Sequence, residues 1–203
     1  DPVLDGPPEG LQVLPDLVPA PPTDLHTSLE DDGWTVGFTS TLVNVGEGDF
    51  ILDGTRTADG EWSVEQLVPY SESGTSSAPV DIPMVWGGDG HEHWPVGRVA
   101  VYWLEALAEE GEPVEGVERR FDTKVGFCFF DSHHDQEYGP DKPGYDSSGC
   151  GDVGSRTFTM GMSPGWSVVY DFSLPGQEIV ITVLPDGLSR VGAQADPVGW
   201  CVG

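Results

Sequence analysis

Twenty-eight glycines and eighteen prolines interrupt this 203-residue chain so often that little of it can run as helix. Proline removes a backbone donor, and glycine gives up the most conformational freedom when it is fixed in a regular element. The chain must therefore build short segments joined by turns. Between these interruptions apolar residues recur at period two. Trp34, Val36 and Phe38 open a run that continues through Val43 and Val45, and Gly46-Glu47-Gly48 turns it into Phe50-Ile51-Leu52. Asp59-Gly60 is a hairpin signal between Arg56 and Trp62. Further strands are expected over 99–104 and 125–130, at Phe158, Met160 and Met162, from Trp166 to Leu174, and at Ile179, Ile181 and Val183. The last is stopped by Pro185-Asp186-Gly187. Residues 1–24 lack periodicity and predict an extended N-terminal arm, leaving 25–203 as the domain; 71–81 and 131–156 read as loops. Seven Trp and eight Phe supply enough apolar surface for a core. The expected fold is mainly β, a β-sandwich-like single domain with long loops and little helix.

Charge narrows the choice of partner. Thirty-five acidic residues against eight basic ones give a formal net charge of −27. Such a surface repels nucleic acid and anionic membranes and attracts cations, whether metal ions, amines or basic proteins; it also serves simply as a solvated, soluble exterior. No apolar run approaches the length of a membrane span. Asp1-Pro2-Val3 reads as the start of a mature or trimmed chain, and three cysteines suggest an oxidising compartment with one disulfide and one spare thiol. Cys128 and Cys150 are the closer pair, and closing a loop of that size is worth about 3 kcal/mol in the chain-entropy model.

Few residues can carry chemistry. His91 and His93, two apart on an extended segment, would face one point, and imidazole is a ligand for copper and zinc. Alone, such a pair is more often two surface histidines. His133 and His134 sit in the acidic loop, where they would be either solvated or extra ligands for a nearby metal. The acidic loop 131–146 offers calcium a home but lacks EF-hand spacing. There is no Gly-x-Ser-x-Gly nucleophile motif.

Several stretches taken in order resemble the lysyl oxidase family, in particular its shorter actinobacterial-type members. They are Leu14-Pro15-Asp16-Leu17, Asn44-Val45-Gly46-Glu47-Gly48, Asp89-Gly90-His91-Glu92-His93-Trp94 and Lys124-Val125-Gly126-Phe127-Cys128. Ser163-Pro164-Gly165-Trp166 with Tyr170, and Leu174-Pro175-Gly176-Gln177 running into Ile181-Thr182, complete the likeness. The resemblance implies a secreted copper-dependent amine oxidase that converts primary amines to aldehydes, releasing peroxide and ammonia. Copper would be held by His91 and His93, and a lysine tyrosylquinone cofactor would derive from Lys124 and Tyr170. A cationic amine or a lysine-rich protein would be the substrate, and the cysteine of the Phe-Cys stretch would pair downstream as Cys128–Cys150. Without the resemblance, Tyr170 reads as a core tyrosine on a half-buried strand.

The chain departs from that pattern at one ligand. Where the family motif carries a third histidine, this sequence has Pro95, which cannot bind a metal. His133, His134 or an aspartate would have to replace it. Two function classes therefore follow: a copper- and quinone-dependent amine oxidase, or a catalytically impaired relative acting as an acidic extracellular metal- or protein-binding module.

Overall fold

The computed structural model describes residues 8–31, 33–84, 86–87, 92–97, 99–122, 126–134 and 136–203. His91 and Lys124 lie outside the described residues. The chain is mainly β, as its period-two pattern indicates, and its described helical content is one short 3-10 turn at Ser147–Cys150.

The longest strand, β3 (Gly33–Asn44), organises the first sheet. β1 (Leu17–Pro19) and β2 (Thr23–Glu30) pair antiparallel along one edge of it. β11 (Trp166–Tyr170) and β12 (Glu178–Val180) pair along the other, and β9 (His133–His134) adds outside β11. A second sheet runs in the order β10 (Thr157–Met162), β4 (Phe50–Arg56), β5 (Trp62–Pro69), β6 (Thr75–Val80). A third places β7 (Ala100–Leu107) between β13 (Leu188–Ala195) and β8 (Arg120–Phe121). Their inward faces share one hydrophobic cluster. Phe38 of β3 meets Tyr102 of β7 at 5.1 Å between ring centroids, and Phe50 of β4 meets Phe129 at 4.9 Å.

Apolar content is modest, so buried polar side chains hold much of the fold. Asn44 is fully buried and makes four hydrogen bonds: its amide donates to the carbonyls of Gly48 and Met162, and its Oδ1 accepts from the N–H groups of Asp16 and Gly46. One side chain thus joins β3, its following turn, β10 and the N-terminal arm. The arm lies so close that a Cβ on Gly48 would stand 1.9 Å from the Val13 carbonyl oxygen, which explains glycine there. Glu105, on β7, is gripped by Arg190 across the strand pair and by Arg119 at 2.9 Å. Hydrogen bonds from Arg119 and then Arg190 hold its carboxyl below the usual carboxylate range.

Several segments differ from the sequence expectation, each for a physical reason. The arm contributes β1 and the first two residues of β2, which crosses the expected boundary at 24/25; β2 is almost wholly exposed and so shows no burial alternation. The expected loop 71–81 contains β6, an edge strand whose outward Ser and Thr face water. β13 was not expected because its core-facing residues, Val191, Ala193 and Ala195, are only half-buried and mostly small, and Gly192 among them leaves room for the Trp103 ring. In the expected strand 125–130, the residue at 125 is outside the described set. Phe127 and Phe129 there are fully buried, yet the described part makes a single bridge, Phe127 to Val96. Burial without a ladder also produces an apolar run. The expected strand 166–174 ends at Tyr170, where Asp171 accepts from both the N–H and the hydroxyl of Ser173 and turns the chain. The strand expected through Val183 stops at Val180, and the loop 131–156 contains β9 and the 3-10 turn.

Asn44→Ala should lower unfolding stability by at least about 3 kcal/mol in urea, because it strands several buried polar groups at once. A loss below about 1 kcal/mol would show that these bonds are not what holds the arm. Glu105 ionisation is favoured in the folded state, so its stabilisation is present above the ordinary glutamate range and is lost as pH falls through its lowered value. Glu105→Gln should accordingly flatten the acid-side decline of the urea midpoint.

Candidate functional site

The centre of the candidate site is the Cys128–Cys150 disulfide, whose Cα atoms are 5.7 Å apart and whose sulfurs are buried. Four segments meet around it. Tyr170, at the end of β11, donates its hydroxyl to the Cys128 carbonyl at 2.7 Å and accepts the Cys128 N–H at 2.6 Å. Its ring stands edge-on to Phe127 at 5.5 Å. Phe127 and Val96 exchange backbone hydrogen bonds of 2.7 and 2.8 Å, and the Trp94 N–H donates to the Cys150 carbonyl at 3.3 Å. His93 is therefore one residue from a strand segment docked on the disulfide, and Lys124 precedes in sequence, by four positions, the cysteine that holds Tyr170.

Local sequence accounts for this closeness. Gly126 faces Pro95, where a Cβ would meet the proline ring at 2.7 Å, so only glycine lets the two segments approach. Beyond Tyr170 the chain is pinned by Gln177, a fully buried side chain that donates to the Tyr170 carbonyl at 2.7 Å and to the Ser40 hydroxyl at 2.8 Å. This gives the Leu174-Pro175-Gly176-Gln177 stretch a structural task.

An aromatic wall flanks the His93 segment. Trp94 packs against Trp86 at 5.0 Å and Trp62 at 5.4 Å, and Trp62 against Phe158 at 5.2 Å. The Trp94 indole N–H donates to the Asp152 carbonyl, and the Arg56 guanidinium lies over its ring at 4.9 Å.

His133 and His134 lie elsewhere. They form β9, are exposed, and pair with Ser167 and Trp166, at the far end of β11 from Tyr170. His134 stacks on Trp166 at 4.9 Å and its Nε2 contacts the Tyr138 carbonyl at 2.9 Å, so this nitrogen acts as the donor. The Ser132 hydroxyl gives its proton to the Ser167 carbonyl, leaving His133 Nδ1–H to donate to it at 2.9 Å. Among the described residues no three His, Cys, Asp or Glu side chains are grouped to hold a metal. The donor type at His93 suits copper, but the described residues do not complete a three-ligand set.

Asp131 organises the start and end of the acidic loop through hydrogen bonds. Buried Asp131 accepts from the N–H and hydroxyl of Ser163 at 2.8 Å each, and from the N–H groups of Gly144 at 2.7 Å and Tyr145 at 3.3 Å. Both of its oxygens are thereby engaged. Cys201 is the free cysteine, half-buried, with its thiol pushed up to about 12 by burial and then by Asp196. It is not a nucleophile at neutral pH. A cleft of about 400 Å³ beside Trp34, Leu104, Ile181 and Asp186 contains none of the candidate residues.

Sequence reading missed the pair Arg56 and Arg156, which share a small cleft next to the aromatic wall. The rarity of basic residues was the signal that could have found them. No protein-family model matches the chain, and no curated protein matches it.

Tyr170→Phe keeps the ring and removes both bonds to the buried Cys128 peptide. It should cost about 2–4 kcal/mol of stability by urea denaturation. A change within about 0.5 kcal/mol would mean that water or another group satisfies that peptide.

Proposed function

We propose that this chain is a copper- and quinone-dependent amine oxidase of the lysyl oxidase kind, acting in an oxidising extracellular compartment on primary amines. One observation supports the reading above the rest. The segments following His93 and Lys124 in sequence, and the ring of Tyr170, all converge on the Cys128–Cys150 disulfide. Stretches distant in sequence, around Trp94, Cys128 and Tyr170, are thus neighbours, which supports the reading.

In this reading His91 and His93 hold copper, and Lys124 and Tyr170 give rise to lysine tyrosylquinone. When present, the metal and quinone supply the redox chemistry and the electrophilic carbonyl that an amine needs for oxidation. The chain's own contribution is placement. The Cys128 peptide fixes the Tyr170 hydroxyl from both sides, and the disulfide fixes that peptide. In this reading Lys124 must reach the ring as a neutral amine, a form that partial burial would favour. The acidic exterior draws cationic amines or lysine-rich proteins toward the surface, an attraction that salt screens.

A second reading has its own observation. Pro95 is buried against Gly126 at the position of the missing ligand, and the Tyr170 hydroxyl is already doubly hydrogen-bonded, as a core tyrosine would be. Under it the chain is an acidic extracellular binding module that retains the fold without the catalysis.

The two readings separate on copper loading in air. The oxidase reading predicts a visible quinone absorbance and amine-dependent peroxide release, both lost in Lys124→Ala and in His93→Ala with the β-sheet circular dichroism retained. Copper-loaded protein with neither signal would exclude self-processing and leave the binding module.

A further inference from the structure

The chain has eight basic residues to set against thirty-five acidic ones, so every arginine has an excess of carboxylates to choose from. Arg119 and Arg190 follow that expectation, closing on Glu105 from both sides. Arg56 and Arg156 do not. Neither forms an ion pair with any described carboxylate. Arg56 Nε donates to the Gly60 carbonyl at 3.0 Å, and its guanidinium stacks on Trp94.

Strand register brings them together. β10 pairs with β4 through Thr157 and Thr55, and the next step of the ladder sets Arg156 opposite Arg56. The Arg56 N–H donates to the Arg156 carbonyl at 2.7 Å. Like charges directly across a strand pair are destabilising. Here both side chains line one cleft of about 290 Å³, floored by Ala58, Gly60, Val153 and Gly154. Small and glycine residues leave that floor open, and arginine is the side chain whose planar fork matches an oxyanion. Stacking on Trp94 fixes one guanidinium in advance, so less freedom is lost on binding.

We propose that Arg56 and Arg156 form a binding site for an oxyanion, the carboxylate or phosphate group of a small ligand. The site does not depend on the oxidase reading. An anion between the two guanidinium groups removes their mutual repulsion and supplies the counter-charge that the rest of the acidic surface withholds from them.

The test is titration of intact protein with inorganic phosphate and, separately, with succinate. Sodium chloride at matched ionic strength is the control. Calorimetry and tryptophan fluorescence follow binding, the latter because Trp94 lies beneath Arg56. At least one oxyanion should bind saturably above the chloride control and raise the melting temperature. Arg156 is exposed and faces a like charge, so Arg156→Gln should leave the unliganded melt equal or slightly higher and weaken binding about tenfold or more. Arg156→Lys, which keeps the charge and loses the fork, should fall between. Preference for phosphate identifies a phosphorylated ligand class, and preference for succinate a carboxylate-bearing one. Binding of neither anion above chloride, or unchanged affinity in Arg156→Gln, overturns the proposal.

Discussion

The hydroxyl of Tyr170 on the peptide of Cys128 is the contact around which the candidate site is assembled. A single phenol satisfies both the backbone donor and the backbone acceptor of one buried residue, Cys128. Without it, the apolar segment around Phe127 and Phe129 would bury backbone groups outside any extended ladder, at a cost of a few kcal/mol. The same cysteine is tied covalently to Cys150, whose carbonyl receives the Trp94 N–H. A strand end, a non-ladder segment, a 3-10 turn and the histidine-bearing loop are thereby joined at one point. Cross-linking distant segments in this way limits the freedom of the unfolded chain as well as the folded one.

The same device recurs across the molecule. Asn44, Gln66, Gln177 and Asp131 are all buried polar side chains, each tying a loop or terminus back to a strand. Gln66 exchanges two hydrogen bonds with the backbone of Val202, as Asn44 does with the turn after β3. A chain with 37% hydrophobic residues and long acidic loops cannot fix every segment by apolar burial alone. Fully satisfied polar side chains make up the difference and set one arrangement of the loops. Such a scaffold leaves its surface charge available for recruiting ligands, cations over most of the exterior and, by our inference, an oxyanion at the two arginines.

What could be read from the sequence followed periodicity. Phe38, Leu42 and Val43 of β3 are buried while Trp34 at its start stays half-exposed, and that strand was legible from its apolar run. β2 and β6 were not, since an exposed or edge strand needs no apolar alternation and its pairing is made by the backbone; β13 was not, since its core-facing Val191, Ala193 and Ala195 are mostly small and only half-buried. Phe127 and Phe129 misled in the opposite direction, being apolar through burial and not through ladder pairing. At the site, motif order pointed to Tyr170 and Cys128, and both lie at the convergence. His133 and His134 were offered as replacement ligands only because they are histidines in a loop. Strand register puts them at the far end of β11, which no one-dimensional pattern reveals. Arg56 and Arg156 were invisible for the same reason: a hundred positions separate two residues that one ladder sets face to face.

Peptide mapping by mass spectrometry after copper loading in air tests the central claim most directly. The oxidase account predicts a covalently joined pair of peptides, one containing Lys124 and the other Tyr170, that is absent from protein never exposed to copper. Recovery of both peptides separate and unmodified from copper-bound protein would contradict it.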